Sequence, residues 1–468
     1  MLISFLFSLH KSVILAPLYI CIIRTMRNYD VVIIGAGVSG LFAALGLSST
    51  KKRVLVLDAG HSLTERLLLL GEDVATHQTQ ARYLGFGGLG LSEGKYNYTN
   101  DFGGELAQKI GAQQSINYQF QVDQLLCQFG ADQRPLYNTY NEELMQRAQQ
   151  YGFKVLTTQT RHLGTSLSTS IFKKLAHQLN QKVEFQFNIT TQDIEPNNNG
   201  ILLQLSNGEI IQSRQVIIAV GNSGLPWLQT IAQKLELSYG ETRLDLGFRI
   251  EMHNKQLQSL LANTFETKLL YQTKNFTGYT YCMNPSGRVI AKYQNGLVMP
   301  DGQNCYEVGE SSNLNFTLFI PKWFKHHQIA HSYLQQTINH INQGQQPIAC
   351  QRLHTIDARF KFKKHLIEPT LTKAEFANLA SLTPNDYLQQ TCDFLFALQS
   401  LIGEPIDGNT ILYAMDSKSY APKIQTNDDF ATKVNGLYII GDSSGVSCSL
   451  SQAAATGLYV ADKIKESY

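Results

Sequence analysis

Four apolar residues in a row, Val31-Val32-Ile33-Ile34, run directly into Gly35-Ala36-Gly37-Val38-Ser39-Gly40. An unbroken apolar run describes a strand covered on both faces. The three glycines then have separate tasks. Gly35 permits a tight strand-to-helix turn, Gly37 lets a pyrophosphate approach the backbone, and Gly40 lets the helix lie close to the strand. A helix starting here points free N–H groups and a partial positive charge at the phosphates. A second apolar run, Val54-Leu55-Val56-Leu57, ends in Asp58, which puts an acid about 20 residues after the glycines, where a ribose hydroxyl needs an acceptor. Strand, glycine turn, helix, strand and acid in that order predict a dinucleotide site, against the blander reading of a tight turn without ligand.

A chain of 468 residues exceeds one compact unit, so two domains are expected. A net charge of +2 supports neither a nucleic-acid partner nor an anionic-membrane surface. The seven cysteines are widely spaced with no CxxC, which reads as reduced thiols in a cytoplasmic protein. No metal-ligand spacing is seen.

Residues 1–25 are rich in Leu, Ile and Phe before Arg24 and the following Arg27. As a membrane span the stretch is just long enough, with His10-Lys11 near its middle, and it would anchor the folded part on the cytoplasmic face of an inner membrane. As a cleaved signal it lacks a basic start and a small-residue cleavage site. The reading adopted is translation from Met26, so membrane association is expected only if residues 1–25 are translated and retained.

Residues 60–100 read as a long glycine-rich connection centred on Gly85-Phe86-Gly87-Gly88-Leu89-Gly90, either a surface loop or backbone laid against a planar cofactor. Helical patterns cover about 104–130, 139–151 and 164–180, and Val183–Phe187 is strand-like. A hairpin pairs 201–205 with 209–213 across Asn207-Gly208. A separate apolar strand, 215–220, ends at Gly221, and a helix follows over 226–237. Alternating segments at 244–251, 277–283, 287–293 and 315–320 predict an antiparallel sheet. Helices are expected at 322–343, 371–380 and 384–402. The basic run 359–364 reads as a solvated strand face or a contact for an anion. Leu437-Tyr438-Ile439-Ile440 ends in Gly441-Asp442, and a helix follows to Ile464. The fold class expected is α/β: a Rossmann-like domain with a parallel sheet, interrupted by an α+β domain with an antiparallel sheet.

The glycine pattern with Asp58, the strand ending Ala219-Val220-Gly221, and Leu437–Asp442 resemble the FAD-binding pattern of the glutathione-reductase-type flavoprotein superfamily. Within it, Gly85-x-Gly87-Gly88-x-Gly90 with Ser92–Lys95, Tyr281–Val289, and Gly441–Gly445 with Gln452–Gly457 resemble the FAD-dependent dehydrogenases called NAD(FAD)-utilising. That resemblance implies FAD held by Gly35, Ala36, Gly37, Ser39, Gly40, Asp58, Gly87, Gly88, Gly221, Gly441, Asp442 and Gly445, with NAD(P)H as a transient donor and a small-molecule substrate. It divides the chain into FAD-binding segments 26–110, 183–242 and 406–468, a helical insertion 111–182 and a substrate or cap domain 243–405. Asp442 would accept from ribitol hydroxyls, and the helix after it would favour charge on the reduced ring.

The activity expected is hydride transfer between a small organic substrate or NAD(P)H and the flavin. The alternatives are an oxygen-using oxidase or monooxygenase, and a flavin-binding scaffold without turnover. Lys95, after the glycine loop, and Tyr281 and Cys282, in a segment able to cap the ring, are the catalytic candidates; His354 and Asp357 rank below them. No base is assigned.

Overall fold

The computed structural model describes residues 26–466 apart from 71–83, 93, 263, 265–266, 295, 306–308, 344–347 and 363–366. Residues 1–25, and with them the three readings of that segment, lie outside the described residues. Among the described residues no helix is long and apolar enough to cross a membrane.

The first apolar run becomes β1 (Arg27–Ile34), followed by α1 (Val38–Leu47) and β2 (Val54–Leu57). Far along the chain come β3 (Glu184–Gln186) and β4 (Ile210–Ile218). The parallel order is β3-β2-β1-β4, and β4 pairs on its other side with a strand at Leu437–Ile439. Val31, Val32 and Ile33 are wholly buried, as two-sided cover requires. The chain is therefore an α/β fold with a Rossmann-like parallel sheet. The expected hairpin arm and the expected strand 215–220 are one continuous strand, β4. Its polar middle, Ser213-Arg214-Gln215, does not break the ladder, because β1 pairs with it from Ile211 to Ile218.

The second sheet has eight strands and is largely antiparallel. At its centre lie β5 (Thr242–His253), β6 (Thr277–Asn284), β7 (Asn313–Phe324) and β8 (Ile411–Ser419), in the order β8-β5-β7-β6. Lys268–Gln272 and Phe153–Leu156 extend it beyond β6. Thus strands from within 111–182 and 406–468 join the sheet of the 243–405 segment. Gly247 is required at the β5–β7 contact: a Cβ there would stand 1.8 Å from the Leu318 carbonyl oxygen. The chain then returns through β9 (Leu437–Ile439) into α2 (Leu450–Glu466).

α2 lies directly on α1. A Cβ on Gly457 would come within 2.2 Å of the Ser39 carbonyl oxygen, and one on Gly46 within 2.6 Å of the Ala461 Cβ. Small residues on both helices let their backbones meet, and one apolar core runs through Leu41, Phe42, Ala454, Leu458 and Ala461.

Other expectations need correction. The connection 60–100 carries a helix at Leu63–Leu70, a 3-10 turn at Gly88–Leu91 and a strand at Lys95–Tyr98. The helix expected over 104–130 is broken at Gly111, whose φ is +91°. The one expected from 322 is β7 as far as Phe324, with its helix at His327–Ile341. The one expected over 371–380 gives a two-residue strand, Glu375–Phe376, and one turn at Leu379–Leu382. Arg359 to Phe362 do not form a strand.

Candidate nucleotide site and adjoining cleft

The glycine turn follows from backbone sterics. Gly35 has φ +112°, and a Cβ would approach the Ala219 carbonyl oxygen to 2.3 Å. Gly40 lies so close beneath that its Cβ would be 1.9 Å from the Gly35 carbonyl oxygen. Gly37 differs, since a Cβ there would meet no atom within 4 Å. It is the N-cap of α1, with no side-chain cap and no acid in the first turn. Uncapped N–H groups beside open space fit a phosphate pair.

Asp58 leaves β2 and accepts from the Ala36 N–H at 2.6 Å and the Gly60 N–H at 2.7 Å. Burial pushes its pKa up from the ordinary carboxylate value, against those two donors. The second glycine run lies against the first turn: Gly87 N–H donates to the Ala36 carbonyl at 2.8 Å, and a Cβ on Gly88 would be 3.2 Å from the Gly37 Cα. Arg66, buried, clamps that loop by donating to the Phe86 and Gly88 carbonyls at 2.6 and 3.0 Å. Burial pulls its pKa down to about 10.

The C-terminal loop comes to the same place. Gly441, with φ +64°, lies against Ser39, whose Oγ a Cβ would approach to 2.5 Å. Gly221, with φ +59°, ends the β4 segment in open space. Gly445, with φ +74°, packs on the Lys423 backbone. The structure thus brings Gly35, Ala36, Gly37, Ser39, Gly40, Asp58, Gly87, Gly88 and Gly441 into one continuous backbone surface.

Asp442 accepts from the Ser447 hydroxyl at 2.9 Å. Burial raises its pKa to about 6, opposed by Ser447 and by the charge of Lys418. The sign follows: a carboxylate whose folded pKa lies above its unfolded value of about 4 contributes stability below pH ~4, and that stability is lost as the pH rises through about 6. Asp442→Asn should therefore stabilise the flavin-free protein by about 1–2 kcal/mol at pH 8 and leave it unchanged near pH 4. Melts of both proteins across that range check this, and equal differences at the two pH values would contradict it.

Beside this loop, against the second sheet, lies a cleft of about 240 Å³. Its walls include Phe102, Arg243, Lys268, Tyr281, Lys418 and Tyr420, together with the loop Gly445–Cys448. Arg243 forks onto Asp245 at 2.6 and 2.8 Å. Lys418 donates through Nζ to the Tyr281 hydroxyl oxygen and stands 4.3 Å from that ring's centroid. Tyr281 sits at a bulge in β6, where pairing to β7 shifts register between Tyr281 and Asn284. The next residue, Cys282, takes the left-handed φ of +48°, and its carbonyl accepts from Arg249 at 3.1 Å. Strain and a bulge at one point of a strand fix the aim of its side chains.

Of the catalytic candidates, only Tyr281 lines the cleft. Cys282 is exposed and contributes its carbonyl to Arg249. Lys95 begins the Lys95–Tyr98 strand, opposite His162, and is not part of the cleft wall. His354 Nδ1 meets the Gly408 carbonyl at 2.8 Å and Asp357 pairs with Arg359, both away from the cleft. Sequence reasoning missed Lys418 and Tyr420, two residues apart in a polar stretch, where period-two spacing was the available signal.

Residues 33–84 match the profile of the NAD(P)-binding Rossmann-like domain family, and so the glycine turn and Asp58 belong to a dinucleotide-binding unit. No curated protein matches the chain. Solved structures with a similar course include glycine oxidase from Geobacillus kaustophilus, at 12% identity and TM-score 0.37, covering 94% of this chain and 95% of that one. NikD, an amino acid oxidase of nikkomycin biosynthesis, gives 11% and 0.39, covering 95% of each chain. Halogenase PltM in complex with phloroglucinol and FAD gives 11% and 0.35, covering 94% of this chain and 70% of that one.

Proposed function

We propose that the chain is an FAD-dependent oxidoreductase of the dehydrogenase type, moving hydride between a small organic substrate or NAD(P)H and the flavin. The observation that carries this is the open, uncapped N-terminus of α1 at Gly37, on whose first turn Gly441 packs through Ser39, at the start of the loop whose residues Gly445–Cys448 line the cleft. The resemblance of the glycine, Asp58 and Leu437–Asp442 motifs to the glutathione-reductase-type superfamily supports FAD as the dinucleotide.

When bound, the flavin supplies the hydride acceptor or donor; the protein supplies binding, orientation and charge. The α1 N-terminus and the Gly87-Gly88 backbone would hold the pyrophosphate, Asp58 the adenosine ribose and Asp442 the ribitol. Tyr281 accepts a hydrogen bond from Lys418, so its own O–H is left to point into the cleft and serve a substrate oxygen or nitrogen as proton donor or acceptor.

Tyr281→Phe should keep the flavin and lower kcat by roughly a hundredfold, the low end for an acid–base group. Unaltered turnover would remove Tyr281 from the chemistry. The purified protein should show a flavin spectrum that bleaches in anaerobic titration with NADH, NADPH or a metabolite panel and returns slowly in air. Rapid reoxidation would replace the dehydrogenase reading with the oxygen-using one. A folded, colourless protein that takes up no added FAD would end both.

A further inference from the structure

The cleft wall carries four acidic residues, Asp101, Glu105, Glu241 and Asp245, and four basic ones, Arg243, Lys268, Lys418 and Lys423, with Glu241 exposed. Glu105 is paired with Lys423. Asp245 is taken by Arg243 and also accepts from the Tyr420 hydroxyl at 3.0 Å. Asp101 accepts from Lys154 at 2.6 Å and from the Thr157 N–H at 2.9 Å. Lys418 is different, because no carboxylate among the described residues lies within ion-pair distance of it. Its Nζ is 3.9 Å from the Cys448 sulfur and 5.0 Å from the centroid of Tyr420, in addition to its contacts with Tyr281.

An ammonium group carries three N–H donors. Tyr281 takes one and a thiol is a weak acceptor, which leaves at least one donor for the cleft. Ring faces attract a cation but do not cancel its charge, and Asp245, opposite Lys418 in the strand pairing, and Asp442, which feels its charge, form no ion pair with it at contact distance. A second cation, Lys268, stands 4.8 Å from the centroid of Tyr281 and 4.1 Å from that of Phe102.

We propose that the cleft binds the carboxylate of a small organic acid, with Lys418 as counter-ion and Phe102, Tyr281 and Tyr420 around its carbon skeleton. The inference names a substrate class for the oxidoreductase reading and rests on that reading for the reaction alone. A carboxylate suits the site better than phosphate. The group to be matched is a single ammonium beside a phenol, and the one guanidinium on the wall, Arg243, already forks onto Asp245.

The test uses benzoate, its neutral isostere benzamide and inorganic phosphate, titrated calorimetrically into the purified protein. Flavin content is measured separately. Benzoate should bind roughly tenfold or more tightly than benzamide, the scale of one charge-assisted hydrogen bond. Lys418→Met should abolish that preference and retain its flavin, while Lys418→Arg should keep part of it. Equal binding of the two probes to the native protein overturns the proposal. So does a preference that survives in Lys418→Met, or phosphate binding that excludes benzoate. Loss of flavin from Lys418→Met also overturns it, by assigning the charge to the cofactor. The two readings fail separately: a flavin-free protein that still prefers benzoate keeps the anion site and loses the oxidoreductase, and a reducible flavin without the preference does the reverse.

Discussion

Gly37→Ala should give a folded protein that purifies without flavin. Gly37 has φ −69° and ψ −178°, extended backbone that alanine adopts without strain. Its Cβ would meet no protein atom within 4 Å, so the substitution costs the fold at most about 1 kcal/mol of N-cap preference. The methyl group would instead fill the space beside the α1 N–H groups, where a phosphate must come within hydrogen-bonding distance. Thermal melting of the flavin-free protein should stay close to native, while flavin absorbance and turnover disappear together. Full yellow occupancy in this variant would mean that the phosphates lie elsewhere.

Gly40→Ala, three residues on, should do the opposite and damage the fold itself. Its Cβ would be 1.9 Å from the Gly35 carbonyl oxygen and 3.3 Å from Ile33. α1 has no direction in which to yield, because Gly457 of α2 holds the Ser39 backbone from the other side. Displacing a helix clamped between a sheet and a second helix costs at least about 3 kcal/mol. Urea unfolding should show that loss or no folded protein at all. A midpoint within experimental error of native would show that α1 moves freely, and the close helix–strand contact would lose its meaning. Together the two substitutions separate the two glycine roles: one glycine is needed by the ligand, the other by the chain.

The parallel sheet was legible because each of its central strands is apolar on both faces. Val31–Ile34, Val54–Leu57 and Val216–Ile218 declare themselves without any partner being known. The second sheet was only half legible. Its β5 and β8 carry Arg249, Glu251 and Asp416 in the interior, and each is answered across the sheet. Arg249 meets Asn315 and Thr317, Glu251 meets Tyr413 and Thr370, and Asp416 meets Lys292 and Thr317. Buried polar pairs erase the alternation that marks a half-buried strand, and β8 is not among the strands expected from the sequence. The nucleotide site was legible for a local reason, since a glycine turn is a backbone constraint written in consecutive residues. The cleft was not. Phe102, Arg243, Lys268, Tyr281 and Lys418 are joined only by the fold, and Lys95 attracted notice through proximity in sequence while its strand runs elsewhere.

The pairing of α1 with α2 also bears on how such a chain is made. α1 is synthesised about four hundred residues before α2, the helix that covers it. Throughout that interval of synthesis the face of α1 that carries Ser39, Ala43 and Gly46 lacks its cover. The parallel sheet with α1 is therefore completed late in translation, open to chaperones and to self-association until α2 arrives.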